Sequence, residues 1–370
     1  MRIGIDCRTV IGNAAGLGRY VEGLVDHLLP LKERGHDYTL YFHQIDSRLL
    51  KWQEQAKQIV LKAPLTNLWT HATLPLHLLR HPVDVCHFPN FIAPLVANCK
   101  IVITIHDLNF LLFPKNFTLR TYLALASQVR MSARKSDAIM VDSESTKADV
   151  MRLLRVPEEK LNVVYAGIHN RFRPVDDTTA IDGIKSKYHL EHYVLCVGSL
   201  APQKNLNRLI RAYAKFKQRT NSHYKLVIAG GQAWKYSSIF EEIKQLGITD
   251  DVVFTGYVPD EELPVLYSGA TAFIYSSLYE GFGFPVLEAM ACGTPTITSN
   301  VSSMLEVGGK AALFADPYSE DDISNAINRL LEDQVLRQNM VQAGFEQVRK
   351  FSFERMAREA LHVYEKVMKL

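Results

Sequence analysis

The sequence predicts an α/β protein built from two doubly wound, parallel-sheet halves, and three observations carry that prediction. Its 370 residues, 47% hydrophobic and 22% charged, are enough chain for two cores, since domains usually hold about 100–200 residues. Short apolar runs alternate with stretches of helical periodicity, which is the pattern of crossover units on a parallel sheet. That alternation lapses once, between Arg171 and His192, into a polar segment with Pro174, paired aspartates and Gly183, which reads as a hinge.

In the first half, strands are expected at Ile3–Asp6, Thr39–Phe42, Val83–His87, Ile101–Ile105, Ala138–Val141 and Val163–Tyr165. A second series is expected at Tyr193–Val197, Lys225–Ala229, Val252–Phe254, Ala272–Tyr275 and Thr296–Thr298. The expected domains are therefore residues 1–172 and 190–351. In the last stretch, 352–370, the residues Phe353, Met356, Ala360, Leu361, Tyr364 and Val367 recur at helical spacing behind Ser352, a suitable N-cap. It should form an amphipathic helix that completes the first domain.

Composition excludes several classes. The apolar fraction argues against disorder, and no apolar run approaches the roughly 18 residues that a membrane span requires. Met1-Arg2 leads directly into a strand ending in Asp6-Cys7-Arg8, without the zones of a secretory signal, so a cytoplasmic location is expected. The five cysteines lack any CxxC pair, which suits free thiols and argues against structural zinc. A formal charge of +3 is too small for a nucleic-acid binder. The first half is the basic one, and Arg120–Lys135 places Arg120, Arg130, Arg134 and Lys135 around a helical apolar pattern. Such a helix either touches an anionic membrane surface or packs on its own domain with its cations solvated.

Ligands of open parallel sheets bind beyond the carboxyl ends of strands, so the turns there carry the chemistry. Four stand out. Glu280-Gly281-Phe282-Gly283-Phe284-Pro285-Val286-Leu287-Glu288 follows an expected strand; its glycines permit close backbone approach, and Pro285 suits the first turn of a helix whose free amides attract phosphate. Gly198-Ser199-Leu200-Ala201-Pro202-Gln203-Lys204-Asn205 offers a lysine able to reach a phosphate as a point charge. His106, with Asp107 behind it, closes a buried strand, where imidazole can hydrogen-bond a hydroxyl or share a developing charge. The loop from Gly12 through Gly16 to Tyr20 can form an anion-binding concavity.

The segment Glu280 through Pro295, two glutamates with seven residues between them inside EGFGxPxxEAMAxGxP, resembles the retaining glycosyltransferases of family 4, which have the GT-B fold. The resemblance runs from the glycine-containing loop near the start to the terminal helix. It implies two Rossmann-like domains facing across a cleft, with acceptor on the N-terminal side and nucleotide-sugar donor on the C-terminal side. It also implies that Glu280 meets hydroxyls of the donor sugar, Glu288 the ribose, and the amides of Gly283, Phe284 and Val286 the diphosphate, with Gly281 and Phe282 in the same loop. Lys204 matches the family's phosphate lysine, His106 its histidine near the donor sugar, and Gly16 its loop over the donor phosphates. Ser199 and Gln203 stand where many members carry arginines, which removes one guanidinium clamp. Backbone readout of the base is expected around Gly256-Tyr257-Val258.

The function implied is transfer of a hexose from a nucleotide sugar, UDP-glucose ahead of GDP-mannose, to a glycan or lipid-linked acceptor in polysaccharide biosynthesis. No metal or other cofactor is expected, because the sequence has no DxD motif and Lys204 with helix-terminal amides can replace the cation. The alternatives are a sugar-nucleotide epimerase on the same fold, a dinucleotide-dependent oxidoreductase, which would need a GxGxxG turn that the chain lacks, or a nucleotide-binding protein without turnover.

Overall fold

A computed structural model describes residues 1–12, 16–231 and 237–369. Two compact units emerge: Met1–Gly167 with Phe351–Leu370, and Ile168–Lys350.

The first unit is built on a seven-stranded sheet. Its strands are β1 (Arg2–Asp6), β2 (Asp37–Phe42), β3 (Lys57–Val60), β4 (Val85–Phe88), β5 (Lys100–Ile105), β6 (Ala138–Val141) and β7 (Leu161–Val163). They are ordered β3-β2-β1-β4-β5-β6-β7, and every pairing is parallel. β4, β5 and β6 are buried nearly throughout, as sheets covered on both faces require. The chain runs outward from β1 through β2 to β3, then returns to pair β4 on the other side of β1. That reversal is a switch point, where the loops after β1 and β4 part and leave a crevice.

The second unit carries six parallel strands: β8 (Tyr193–Val197), β9 (Lys225–Ala229), β10 (Val252–Gly256), β11 (Ala272–Tyr275), β12 (Thr296–Ser299) and β13 (Ala312–Ala315). Their order, β10-β9-β8-β11-β12-β13, places a second switch point between β8 and β11. Its core gathers Leu209, Ile210 and Tyr213 of helix Leu206–Thr220 with Ile323, Ile327 and Leu330 of helix Glu320–Glu332.

Helix Phe353–Val367 belongs to the first unit. Ser352 caps it by accepting from the Arg355 amide, and its apolar face is buried against helix Gly16–Leu28. The contact is close: a Cβ on Gly23 would stand 2.1 Å from the Phe353 ring, so a side chain there would force the helices apart.

Two sequence expectations need correction, and two strands are additional. The segment 171–192, expected as a polar hinge, contains regular structure. It holds helix Thr178–Lys187, capped by the Asp177 carboxylate accepting from the Thr179 and Ala180 amides, and the change of unit falls earlier, after Gly167. β7 lies at Leu161–Val163 rather than Val163–Tyr165, set by its pairing with Ile139–Val141. The edge strands β3 and β13 were not anticipated.

Candidate active site

In the second unit the switch point assembles residues from distant parts of the chain. Lys204 ends a short 3-10 turn, Pro202–Lys204, after β8. Asn205 then takes the left-handed conformation, at φ 60°, and its side-chain amide donates to the carbonyls of Ser276 (3.1 Å) and Pro317 (2.7 Å). The Leu278 amide donates to the Gln203 carbonyl at 2.8 Å. These bonds strap the loop after β8 to the loop after β11.

Lys204 Nζ consequently lies 2.7 Å from Glu280 Oε1 and also donates to the Tyr275 hydroxyl. Glu280 Oε1 further accepts from Ser277 Oγ at 2.6 Å and from Tyr275 at 3.0 Å. Burial would lower the lysine's affinity for its proton, but Glu280 and Tyr275 outweigh it, and the ammonium is held well above its usual range. Burial, and then Glu280, push the Tyr275 phenol up, so it remains a neutral donor.

The loop that presents Glu280 is fixed from the neighbouring turn. Ser302 Oγ accepts from the Glu280 amide at 3.1 Å, and Ser303 Oγ donates to the carbonyls of Glu280 (2.9 Å) and Phe282 (2.6 Å). Gly283 adopts φ 115°, a left-handed backbone shape that side chains other than glycine's rarely take. Helix Phe284–Ala291 starts directly after it, with Pro285 in the first turn. The first amides of a helix have no intrahelical partner and form an anion site. Of the three amides expected to face a diphosphate, that of Val286 already donates to the Gly283 carbonyl at 3.1 Å.

Glu288 is buried in the middle of this helix, and its Oε2 accepts from the Tyr267 hydroxyl at 2.9 Å. The structure thus gives the two glutamates different settings, one paired with a cation and one with a phenol. Ser199 follows β8, and Gly281 and Phe282 lie in the Glu280 loop. After β10, Tyr257 is 73% exposed and Val258 is buried, so at this turn a planar side chain faces solvent.

In the first unit His106 follows β5. Its Nδ1 is 2.6 Å from Asp142 Oδ2 and its Nε2 3.1 Å from the Pro89 carbonyl. Two acceptors on one ring call for protons on both nitrogens. Burial opposes the charge, but Asp142 prevails and the imidazole is held above its usual range. The Tyr20 ring stands against it edge-on, centroids 4.6 Å apart. Both ring nitrogens are thus engaged within the unit. Asp107 accepts from the Asn109 amide at 2.9 Å, a local turn. Gly16 opens helix Gly16–Leu28, while residues 13–15 of its loop lie outside the described residues. The contributors that sequence reasoning missed are Tyr275, Ser277, Tyr267 and Asp142.

All five cysteines are free thiols. Among the described residues no group of three or more His, Cys, Asp and Glu is arranged to hold a metal, and no helix is long and apolar enough to cross a membrane.

Comparison with known proteins agrees with this architecture. Residues 177–347 match the family model described as glycosyl transferases group 1, and residues 14–171 the model of glycosyltransferase family 4. The O-antigen chain mannosyltransferase B of Escherichia coli is 30% identical over 283 residues, 76% of this chain and 74% of that protein. The serotype-specific mannosyltransferase WbdA of Escherichia coli is 28% identical over 63% of this chain, which spans only 29% of that larger protein. Among solved structures, sucrose-phosphate synthase from Thermosynechococcus elongatus superposes with a TM-score of 0.77 at 21% identity, covering 100% of this chain and 99% of that one. Anabaena HepE, solved with UDP and glucose, gives 0.78 at 18% identity, covering 99% of this chain and 100% of that one. The chain belongs to glycosyltransferase family 4, and its two parallel-sheet units have the GT-B fold.

Proposed function

We propose that the protein is a retaining, metal-independent hexosyltransferase that moves mannose from GDP-mannose to a glycan or lipid-linked glycan in polysaccharide biosynthesis. The observation that carries the reading is the Lys204–Glu280 pair at the β8/β11 switch point, beside the start of helix Phe284–Ala291. Mannose is put ahead of glucose because the two Escherichia coli relatives named above are mannosyltransferases. UDP-glucose is the competing donor.

In this reading Lys204 and the first helical amides stabilise the departing nucleoside diphosphate, the task a metal performs elsewhere. The bond from the sugar's anomeric carbon to phosphate breaks, and the bond to the acceptor oxygen forms on the same face. The acceptor proton passes to the departing phosphate, so no protein nucleophile is required. Glu280 orients donor-sugar hydroxyls, Glu288 holds the ribose, and the backbone around Tyr257 and Val258 reads the base. Gly16 belongs to the loop over the phosphates, with Ser199, Gly281, Phe282, Gly283, Phe284 and Val286 around them. His106 bonds a sugar hydroxyl through Nε2 by exchanging the Pro89 carbonyl for it.

Purified protein offered a panel of UDP- and GDP-sugars should release nucleotide fastest from GDP-mannose, and NMR of the product should show the donor's anomeric configuration. Fastest release from UDP-glucose would remove mannose, and an inverted product would remove the retaining step.

A further inference from the structure

In the first unit a crevice of about 700 Å³ opens at the amino ends of β1, β2 and β3, whose first residues Arg2, Asp37 and Lys57 line it. In a parallel sheet this is the end opposite the loop that carries His106. Two histidines four residues apart, His77 and His81, line the same crevice.

They belong to helix Leu74–Arg80 and its C-cap. Leu74 and Leu78 are fully buried there and fix which face turns outward. The His81 amide donates to the His77 carbonyl at 2.9 Å, so helical spacing continues through His81 and the two side chains share a face. The Tyr41 ring stands edge-on to His77, centroids 5.8 Å apart, and holds its orientation. His77 is half-buried and His81 exposed, and among the described residues neither ring has a hydrogen-bond partner for its nitrogens. Their ring centroids lie 4.7 Å apart.

That spacing suits a chelate. A transition ion bonds an imidazole nitrogen at about 2.0–2.1 Å and so lies about 3.2 Å from the ring centroid. Centroids 4.7 Å apart then subtend about 95° at a shared ion. Neighbouring positions of a tetragonal or octahedral ion are about 90° apart, whereas tetrahedral zinc would ask for centroids about 5.2 Å apart. Charge does not oppose a cation here. Arg2 is paired with Asp84 at 2.7 Å, and Asp37 and Glu54 offset Lys57 and Arg80 around the crevice. We propose that His77 and His81 chelate one divalent transition ion of the Ni²⁺ or Cu²⁺ type, with water in its remaining positions. This site stands apart from sugar transfer and does not depend on the glycosyltransferase reading.

The test is calorimetric titration of the full, metal-stripped chain with Ni²⁺ at about pH 8, where an ordinary imidazole is neutral. A saturable site with a micromolar Kd should appear. Mg²⁺ should not displace Ni²⁺ from it, because Mg²⁺ seeks oxygen ligands. His77→Gln and His81→Gln should each weaken Ni²⁺ binding about tenfold or more, since even removing a group behind a ligand costs that much. His192→Gln should leave this site intact, although His192 and His223 form another close pair with centroids 5.2 Å apart. Because His81 is exposed, His81→Gln should melt like wild type without metal, and Ni²⁺ should raise the melting temperature of wild type alone. The inference is overturned by absence of saturable binding up to about 1 mM, by Ni²⁺ affinity unchanged in both His77→Gln and His81→Gln, or by its loss in His192→Gln alone.

Discussion

Lys204 Nζ lies 2.7 Å from Glu280 Oε1, with only about 15% of either side chain exposed. The pair joins the loop after β8 to the loop after β11. In the proposed reaction the cation that stabilises the departing diphosphate is kept charged by a neighbour assigned to the sugar.

Lys204→Ala should therefore have two separable effects. Turnover should fall about 100- to 1,000-fold, the usual result of deleting an electrostatic stabiliser of a developing anion. Stability should fall by about 2–3 kcal/mol, somewhat less than for breaking a fully buried pair, because some solvent reaches both groups. Adding Glu280→Gln to Lys204→Ala should recover much of the melting temperature and none of the turnover. Recovery of turnover would mean that the lysine's role is structural. EDTA should leave wild-type activity unchanged, and rescue of an EDTA-treated enzyme by manganese would contradict the metal-free step.

The two glutamates should divide between sugar and nucleoside. Glu288→Gln should weaken free nucleoside diphosphate by about 1–3 kcal/mol. Tyr267→Phe should do so more mildly, because its hydroxyl orients Glu288 at 2.9 Å. Glu280→Gln should bind the free diphosphate nearly as wild type does while turning over donor slowly, since its partners are sugar hydroxyls. Calorimetry followed by turnover measurements decides it, and equal loss of nucleotide affinity in Glu280→Gln and Glu288→Gln would refute the division.

How much of this was legible in sequence depends on locality. The central strands showed themselves as apolar runs because both faces of each sheet are covered, and the Glu280–Glu288 segment announced itself through glycines, Pro285 and spacing. The edge strands β3 and β13 did not, since Lys57–Val60 and Ala312–Ala315 are mostly half-buried and carry no sharp pattern. The Lys204–Glu280 bond spans 76 residues and exists only because β11 pairs β8, a fact of strand order that spacing cannot convey. Asp142 follows β6 directly, ahead of the N-cap Ser143, and reads as ordinary turn chemistry until β6 is laid beside β5. Tyr275 looked like the last apolar residue of a strand; its hydroxyl acquires meaning only beside Lys204.

Helix Leu119–Lys135 presents Leu119, Leu123 and Met131 to solvent together with Arg120, Arg130, Arg134 and Lys135. Apolar and basic side chains sharing an exposed face suit the surface of an anionic bilayer. Flotation with vesicles containing phosphatidylglycerol should recover the protein at low salt, and vesicles of phosphatidylcholine alone should not. Replacing Arg120, Arg130 and Arg134 by Gln should cost about 1 kcal/mol per residue. Unchanged flotation of that triple variant would return the helix to an ordinary solvated face.

Two histidines of the first unit should give pH dependences of opposite sign. His87 is fully buried, its ring nitrogens 2.8 Å from Thr104 Oγ1 and 2.7 Å from the Tyr364 hydroxyl, and burial pulls its pKa down to about 3 from 6.5. Between those values the unfolded chain takes up a proton that the folded chain refuses. His87 therefore favours the folded state fully above about pH 6.5 and progressively less as the pH falls toward 3. His106 behaves in reverse. Asp142, against the opposing effect of burial, raises its pKa above 6.5, so the stability it contributes is present in full below that value and is lost as the pH climbs through the folded value. Thermal melts from about pH 4 to 9 should show a shallower acid-side decline in His87→Gln than in wild type. Asp142→Asn should lower the melting temperature most at acid pH and converge toward wild type at alkaline pH, where His106 is neutral in both. Parallel curves for wild type and Asp142→Asn across the whole range would mean that His106 carries no charge in the folded protein.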